Sequence, residues 1–146
     1  MIDIHGKSAT DREATAVGRV RMNGAAFEAL SEGRLPKGDA LAMARTAGIM
    51  AAKKTPGIIP LCHVIALSYV GIEFELAAEQ REVVIKGTAR ARAATGVEME
   101  ALTAVAVAAL TIHDMCKALD PAGRIAGIEL VRKSGGKTGL WQREES

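Results

Sequence analysis

Aromatic side chains are nearly missing from this chain. It holds one Trp, one Tyr and two Phe in 146 residues. A core built on ring packing is therefore excluded, and with 49% hydrophobic residues the interior has to be made from Ala, Val, Ile, Leu and Met. Cysteine is also scarce. Cys62 and Cys116 are too few for a disulfide framework, which fits a reducing, cytoplasmic setting. Charge of one sign is lacking too: a net charge of +2 gives no electrostatic case for nucleic-acid binding. No charge-free apolar run is long enough to cross a bilayer, so no membrane partner is expected. The opening residues MIDIHGKSATDRE contain no apolar stretch of the secretory-signal type. There is no internal repeat and no linker long enough to divide the chain. One domain over 1–146 is expected, large enough to bury a real core, with a glycine-rich and mobile tail over 134–146.

What the chain does have is an unusual segment, Gly96–Lys117, GVEMEALTAVAVAALTIHDMCK. Its middle, Ala101 to Ile112, is uncharged, and only Thr103 and Thr111 are polar. A helix apolar all round has to be buried on nearly every side, and so many small residues suggest close helix packing and contacts between subunits. Titratable groups crowd both ends: Glu98 and Glu100 at the start, His113, Asp114 and Lys117 at the finish. An acid in the last turn sits at the negative end of the helix dipole and is mildly destabilising. Asp114 therefore calls for an explanation. Lys117 lies three residues on, on the same helix face. The plain reading is a local pair that sets the helix end. The functional reading is a tuned pair beside a buried surface.

The remaining elements follow from pattern. Thr15–Met22 reads as a first strand, and Asn23 caps a short helix that ends at Gly33. Ala40–Lys53 reads as a second helix, and 55–62 as a Pro- and Gly-punctuated connection. Tyr69–Leu76 alternates strictly, with Val70, Ile72, Phe74 and Leu76 on one side and Glu73 and Glu75 on the other, as in a half-buried antiparallel strand. A turn over 77–81 leads into a strand over Glu82–Ala91. The long helix follows, with Thr95 and Glu98 in capping-box spacing, and Ile125–Lys133 closes as a fourth strand. This order predicts an α+β, ferredoxin-like split βαβ sandwich: a four-stranded antiparallel sheet with helices packed on one face.

The chemistry is confined to loops and helix ends. Asp39 has a sufficient structural role as an N-cap. Lys37 has none, because a cation beside a helix N-terminus is slightly unfavourable. Lys53 and Lys54 suit the end of their helix electrostatically. Cys62-His63 follows Pro60 in a constrained loop. Glu98 and Glu100 point about 200° apart on a helix, so both cannot face one site, and Glu98 has a capping role available. His113 and Cys116 have helical ligand spacing, but no second pair completes a zinc site, so no metal site is expected. The segment Lys133-Ser-Gly-Gly-Lys137-Thr-Gly139 is not a P-loop. The first glycine of that motif would stand at Val131, and no helix follows. It is a basic loop whose backbone N–H groups suit phosphate. With Arg12, these residues are an inventory for acid–base work on an anionic, phosphorylated substrate.

In combination, four blocks carry a resemblance: DREA, KGDALAMARTAGIMAAKKTPGIIPLCH, TGVEMEALTAVAVAALTIHDMCKALD and KSGGKTG. Over about 2–139 the chain resembles molybdenum cofactor biosynthesis protein C, the cyclic pyranopterin monophosphate synthase family. The resemblance implies the ferredoxin-like fold and a homohexamer, a trimer of dimers with sites at a subunit interface. The substrate it implies is 3′,8-cyclo-7,8-dihydro-GTP, supplied by a radical-SAM GTP cyclase. The products are cyclic pyranopterin monophosphate and pyrophosphate, and no resident cofactor is implied beyond magnesium that could accompany the triphosphate. The functional positions it carries over are Arg12, Lys37, Lys53, His63, Glu98, Glu100, Asp114, Lys117 and Lys133. Three neighbours depart from the family pattern: Val64 stands where Pro is usual, His113 where an aromatic is common, and Tyr69 where Lys is usual.

On this resemblance Lys37 and Lys117 are the acid–base candidates, and Asp114 positions or activates Lys117. Arg12, Lys53 and Lys133 hold the triphosphate, His63 contacts phosphate or relays a proton, and Glu98 or Glu100 holds the guanine-derived edge. Two other readings stand beside it. One is a non-catalytic nucleotide sensor, for which the Asp114-x-x-Lys117 pair beside Lys37 would be superfluous. The other is a GTP hydrolase, weakened by the failed P-loop.

Overall fold

The computed structural model describes residues 1–144. The expected tail over 134–146 and the single-domain reading over 1–146 both include residues 145 and 146, which lie outside the described residues. The elements run in the order β1 (Thr10–Arg21), α1 (Gly24–Ser31), α2 (Ala40–Lys53), α3 (Thr55–Ile58), β2 (Leu67–Ala77), β3 (Glu82–Ala93), α4 (Glu98–Cys116), β4 (Arg124–Ser134) and β5 (Trp141–Gln142). All strand pairings are antiparallel, and the sheet order is β2-β3-β1-β4-β5. The first four strands thus have the split βαβ order, with β1 and β3 central and the α+β sandwich complete.

Four local expectations change. β1 begins at Thr10 and not at Thr15, because it pairs with β3 as far as Ala93. Arg12 therefore stands on a strand, as Lys133 does on β4, and the chemistry is not confined to loops and helix ends. The sheet has five strands where four were expected, because Trp141 and Gln142 in the glycine-rich tail pair with Lys133 and Arg132 at the edge of β4. The connection after α2 contains a short helix, α3, whose Pro56 sits in the first turn, where a missing N–H costs nothing. The capping box at Thr95 and Glu98 does not form. Val97 is the N-cap and makes no side-chain hydrogen bond, and the Glu98 carboxylate is drawn instead to Lys133. The other caps are as the sequence indicates: Asn23 Oδ1 accepts from the Ala26 N–H and Asp39 Oδ1 from the Ala42 N–H.

Helix α4 lies across the sheet, with α2 packed beside it. By length and composition it could span a membrane, with a mean hydropathy of 1.3. Here, however, it is the core of the protein: Ala101, Ala104, Val105, Ala108, Ala109 and Ile112 are fully buried. Burying a Val or Ile side chain contributes about 1.5–3 kcal/mol, so packing along the rod, and not the exposed ion pairs at its ends, sets its position. The close approach depends on small residues. Gly48 of α2 faces α4 so tightly that a Cβ there would stand 2.8 Å from the Ala104 carbonyl oxygen and 3.2 Å from Ile72 Cδ1. A stripe on the outer side of α4, Leu102, Ala106 and Leu110, is only partly covered, and Leu110 is 58% exposed.

Gly48→Ala adds one methyl group against a main-chain carbonyl that cannot swing aside. It is expected to destabilise the fold by about 1–3 kcal/mol, read as a lowered denaturation midpoint with an unchanged slope. Ala47→Gly, outside this contact, is expected to cost only the propensity difference of about 1 kcal/mol.

Candidate functional site

The ends of α4 hold two separate clusters. At its C-terminal end Asp114 projects outward between two lysines. Lys37, from the loop before α2, donates from Nζ to Asp114 Oδ2 at 2.6 Å and to the Asp114 backbone carbonyl at 3.2 Å. Lys117 donates from Nζ to Oδ1, also at 2.6 Å. One carboxylate therefore binds one ammonium on each oxygen. The contacts from Lys117 and then Lys37 pull the Asp114 pKa down to about 2. Since the folded-state value lies below the ordinary one, the ion pairs persist at neutral pH and are lost only as pH falls through about 2. Asp114 thus stays a fixed anion, and the dipole cost of an acid in the last turn is offset by its two cations.

The frame of this cluster is fixed by Asp120, a buried carboxylate just beyond α4. Its Oδ2 accepts from the Asn23 backbone N–H at 2.7 Å and its Oδ1 from the Ala122 N–H at 3.1 Å. This ties the end of α4 to the start of α1. Neither the length of the loop nor its composition singles out Asp120; only its burial does.

At the N-terminal end of α4, Lys133 from β4 donates to Glu98 Oε1 at 2.9 Å. Arg12 on β1 donates from Nε to the Ala93 carbonyl and from Nη2 to the Ala94 carbonyl, both at 3.3 Å. Burial pushes the Glu98 carboxyl up, but the Lys133 hydrogen bond and the nearby Lys133 and Arg12 charges outweigh it and hold the pKa below its ordinary value. Glu100, two residues on, behaves in the opposite way. It is 3% exposed, and burial, with the Glu98 charge adding to it, raises its pKa. The two acids thus shift in opposite directions, yet both line one hollow at the first turn of α4, so the expectation that their angular separation keeps them from facing one site does not hold. Beside them is a hollow of about 400 Å³ lined by Ile2, Cys62, His63, Glu98, Met99 and Glu100, among others. His63 Nε2 lies 2.7 Å from the Ile2 carbonyl oxygen. Burial and the Glu100 charge raise the Cys62 pKa, so its thiol is poorly suited to act as a nucleophile. Because α2 runs antiparallel to α4, with Gly48 against Ala104, Lys53 comes roughly level with this same end.

The structure therefore brings Lys37, Asp114 and Lys117 together at one end of the rod. It brings Arg12, His63, Glu98, Glu100 and Lys133 together at the other, with Lys53 on that side. It does not bring the two groups to each other: sixteen residues of helix separate Glu98 from Asp114, roughly 24 Å. Sequence patterning missed the apolar walls from Ile2 and Met99, because Ile2 comes from a segment without periodicity and Met99, in the first turn of α4, reads as ordinary core. A larger hollow of about 880 Å³ lies elsewhere, on the open face of the sheet. Its lining includes Glu13, which is paired with Arg90 and Arg132, so these charges already neutralise one another. Among the described residues no group of three or more His, Cys, Asp or Glu could hold a metal ion.

The raised pKa of Glu100 has a consequence for stability. A carboxyl whose folded-state pKa lies above the unfolded one stabilises the fold below the unfolded value, and that contribution is lost as pH rises through the folded one. Glu100→Gln is expected to melt at a higher temperature than the unsubstituted protein at pH 7, with the difference shrinking toward pH 4. Thermal melts at both pH values check this.

The MoaC family model matches residues 1–136. A cyclic pyranopterin monophosphate synthase of Chloroflexus aggregans is 53% identical over 146 residues, covering 100% of this chain and 88% of the relative. One from Roseiflexus castenholzii is 53% identical over 139 residues, covering 95% and 88%. One from Peptoclostridium acidaminophilum is 51% identical over 144 residues, covering 99% and 90%. With these matches over nearly its whole length, the chain belongs to the MoaC family.

Proposed function

We propose that this chain is a cyclic pyranopterin monophosphate synthase, a lyase of molybdenum cofactor biosynthesis. It converts 3′,8-cyclo-7,8-dihydro-GTP to cyclic pyranopterin monophosphate and pyrophosphate. The observation that carries this reading furthest is the Asp114 carboxylate held between Lys37 and Lys117, at 2.6 Å from each. A simple anion sensor gains nothing from a carboxylate that competes with its ligand for two lysines. A proton-transfer site gains two ammonium groups fixed in direction.

The reaction opens the aminal of the nucleotide and recloses it as a pyrazine ring. A sugar-derived hydroxyl attacks the α-phosphate and expels pyrophosphate. Asp114, ionised throughout the working pH range, positions the lysines and does not itself carry protons. Lys37 and Lys117 supply the acid–base steps. Arg12, Lys53 and Lys133 hold the triphosphate, and Lys133 is given direction by Glu98. His63 contacts phosphate or relays a proton. Glu100, the buried acid of the hollow, and Glu98 are the candidates for the guanine-derived edge. The chemistry asks for no resident cofactor; magnesium would enter with the triphosphate. The substrate places the protein in the cytoplasm, downstream of a radical-SAM GTP cyclase.

Neither end of α4 holds the whole set, so the active site combines the Asp114 end of one chain with the Glu98 end of another. The homohexamer, a trimer of dimers, is the assembly that does this. The partly covered stripe of Leu102, Ala106 and Leu110, together with Met43 and Met50 exposed one heptad apart on α2, supplies apolar surface for such contacts.

Purified protein given the cyclic intermediate is expected to release pterin and pyrophosphate, while GTP itself is left unconverted. Lys37→Ala and Lys117→Ala are each expected to lose about two to four orders of magnitude in turnover with unchanged melting, and Lys54→Ala to be nearly silent. An intermediate returned intact by folded protein would defeat the enzymatic reading. Equal losses at Lys37 and Lys54 would show that only bulk charge matters.

Glu98→Ala and Asp114→Ala, each inactive alone, are expected to regain part of their activity when co-expressed, because a mixed dimer holds one intact composite site. Verified mixed oligomers as inactive as their parents would place both residues in one chain's contribution.

A further inference from the structure

The turn after β4 fits around Arg12. Arg12 Nε and Nη2 are occupied by the Ala93 and Ala94 carbonyls, and Gly136 packs against one side of the guanidinium. A Cβ at Gly136 would stand 2.7 Å from Arg12 Cζ and 2.9 Å from Nη2. No side chain at 136 is compatible with Arg12 in its present place. The neighbouring glycine differs. At Gly135 a Cβ would meet the main chain of Asp11, with its carbonyl carbon at 3.1 Å, so a substitution there strains the backbone itself. At 136 the obstruction is the tip of a flexible side chain, which can move away. Both glycines have positive φ, 98° and 70°.

We propose that Gly136 is a positioning residue for Arg12: lacking a side chain, it lets the turn close on the guanidinium and hold it against the Ala93 and Ala94 carbonyls beside the Glu98–Lys133 pair, ready for a phosphate group. A long cationic side chain normally loses rotamer freedom when it binds an anion. Here that freedom is already lost in the folded protein, which is preorganisation. The inference rests on the reading of Arg12 as a phosphate ligand and extends it to a residue that makes no contact through a side chain of its own.

Gly139 supplies the control. It has nearly the same backbone conformation, φ 64°, in the same turn, where its N–H donates to the Gly136 carbonyl at 3.3 Å. Yet a Cβ there would meet nothing within 4 Å. Alanine at 136 or 139 therefore carries a similar backbone penalty, but only at 136 does it displace Arg12.

Binding of inorganic pyrophosphate is measured by calorimetry for the unsubstituted protein, Gly136→Ala, Gly139→Ala, Arg12→Ala and the Arg12→Ala/Gly136→Ala double variant. Nε–H exchange of Arg12 is followed by NMR in the variants that retain it. Gly136→Ala is expected to weaken pyrophosphate binding roughly three- to tenfold, the cost of ordering one long side chain. It should raise KM for the cyclic nucleotide, leave kcat within about twofold, and make the Arg12 Nε–H exchange quickly. Gly139→Ala should do none of these, and Gly136→Ala should add nothing in the Arg12→Ala background. Equal effects from the two glycine variants, or a Gly136 effect undiminished without Arg12, would overturn the positioning role and leave Arg12 as a phosphate ligand. An Arg12→Ala variant that binds pyrophosphate normally would overturn the phosphate reading, and the proposal with it.

Discussion

Helix α4 rests on β1 and β3 through alanines and a few branched residues, with α2 against its side through Gly48, and this close contact governs the rest of the structure. Because Ala101, Ala104, Ala108 and Ala109 are fully buried, the backbone of α4 lies near its neighbours and has little room to slide or rotate. Interiors packed at this density resist small displacements. The titratable groups at the two ends are therefore held by a rod whose position is decided by packing. The sharp directions of Lys37 and Lys117 at Asp114, and of Lys133 at Glu98, depend on that rigidity. Exposed ion pairs alone would order such long side chains poorly.

The two ends differ in electrostatic character. At the C-terminal end a single carboxylate is exposed and doubly compensated, so it is a permanent anion. At the N-terminal end two carboxylates, two residues apart, have opposite shifts. Glu98, paired with Lys133 and near Arg12, is held as the anion. Glu100, buried without a cation, is pushed toward its neutral form. Two residues of one type, two positions apart, are thereby shifted in opposite directions, and the difference comes from the cations near one and the unrelieved burial of the other.

The face of the sheet away from the helices follows another rule. Glu13, Arg90 and Arg132 pair across three strands, and Thr15 and Thr88 share a hydrogen bond at 3.2 Å. Cross-strand pairing of this kind stabilises a sheet locally. Its charges are mostly spent on one another, whereas at the far end of α4 two lysines share a single carboxylate. Size alone would direct attention to the larger hollow on this face, whereas the residues proposed for the reaction lie at the smaller one and at the open end of α4.

Much of this was legible in the sequence because it is local. The period-two alternation of Tyr69–Leu76, the caps at Asn23 and Asp39, and the uncharged middle of α4 depend on neighbours within a few residues, and the strand and helix order then restricts the topology to the split βαβ arrangement. The pairing of Asp114 with Lys117 follows from helical spacing in the same way. What local pattern could not decide is whatever requires two distant segments to meet. Glu98 reads as a capping residue until β4 brings Lys133 to it. The tail reads as an unpaired extension until the free edge of β4 offers hydrogen-bonding groups to Trp141 and Gln142. Lys37, 77 residues before Asp114, becomes its partner only because α2 packs antiparallel to α4. The opposite fates of Glu98 and Glu100 were set by the tertiary structure alone, since burial and charge at a helix face depend on what the fold packs against it.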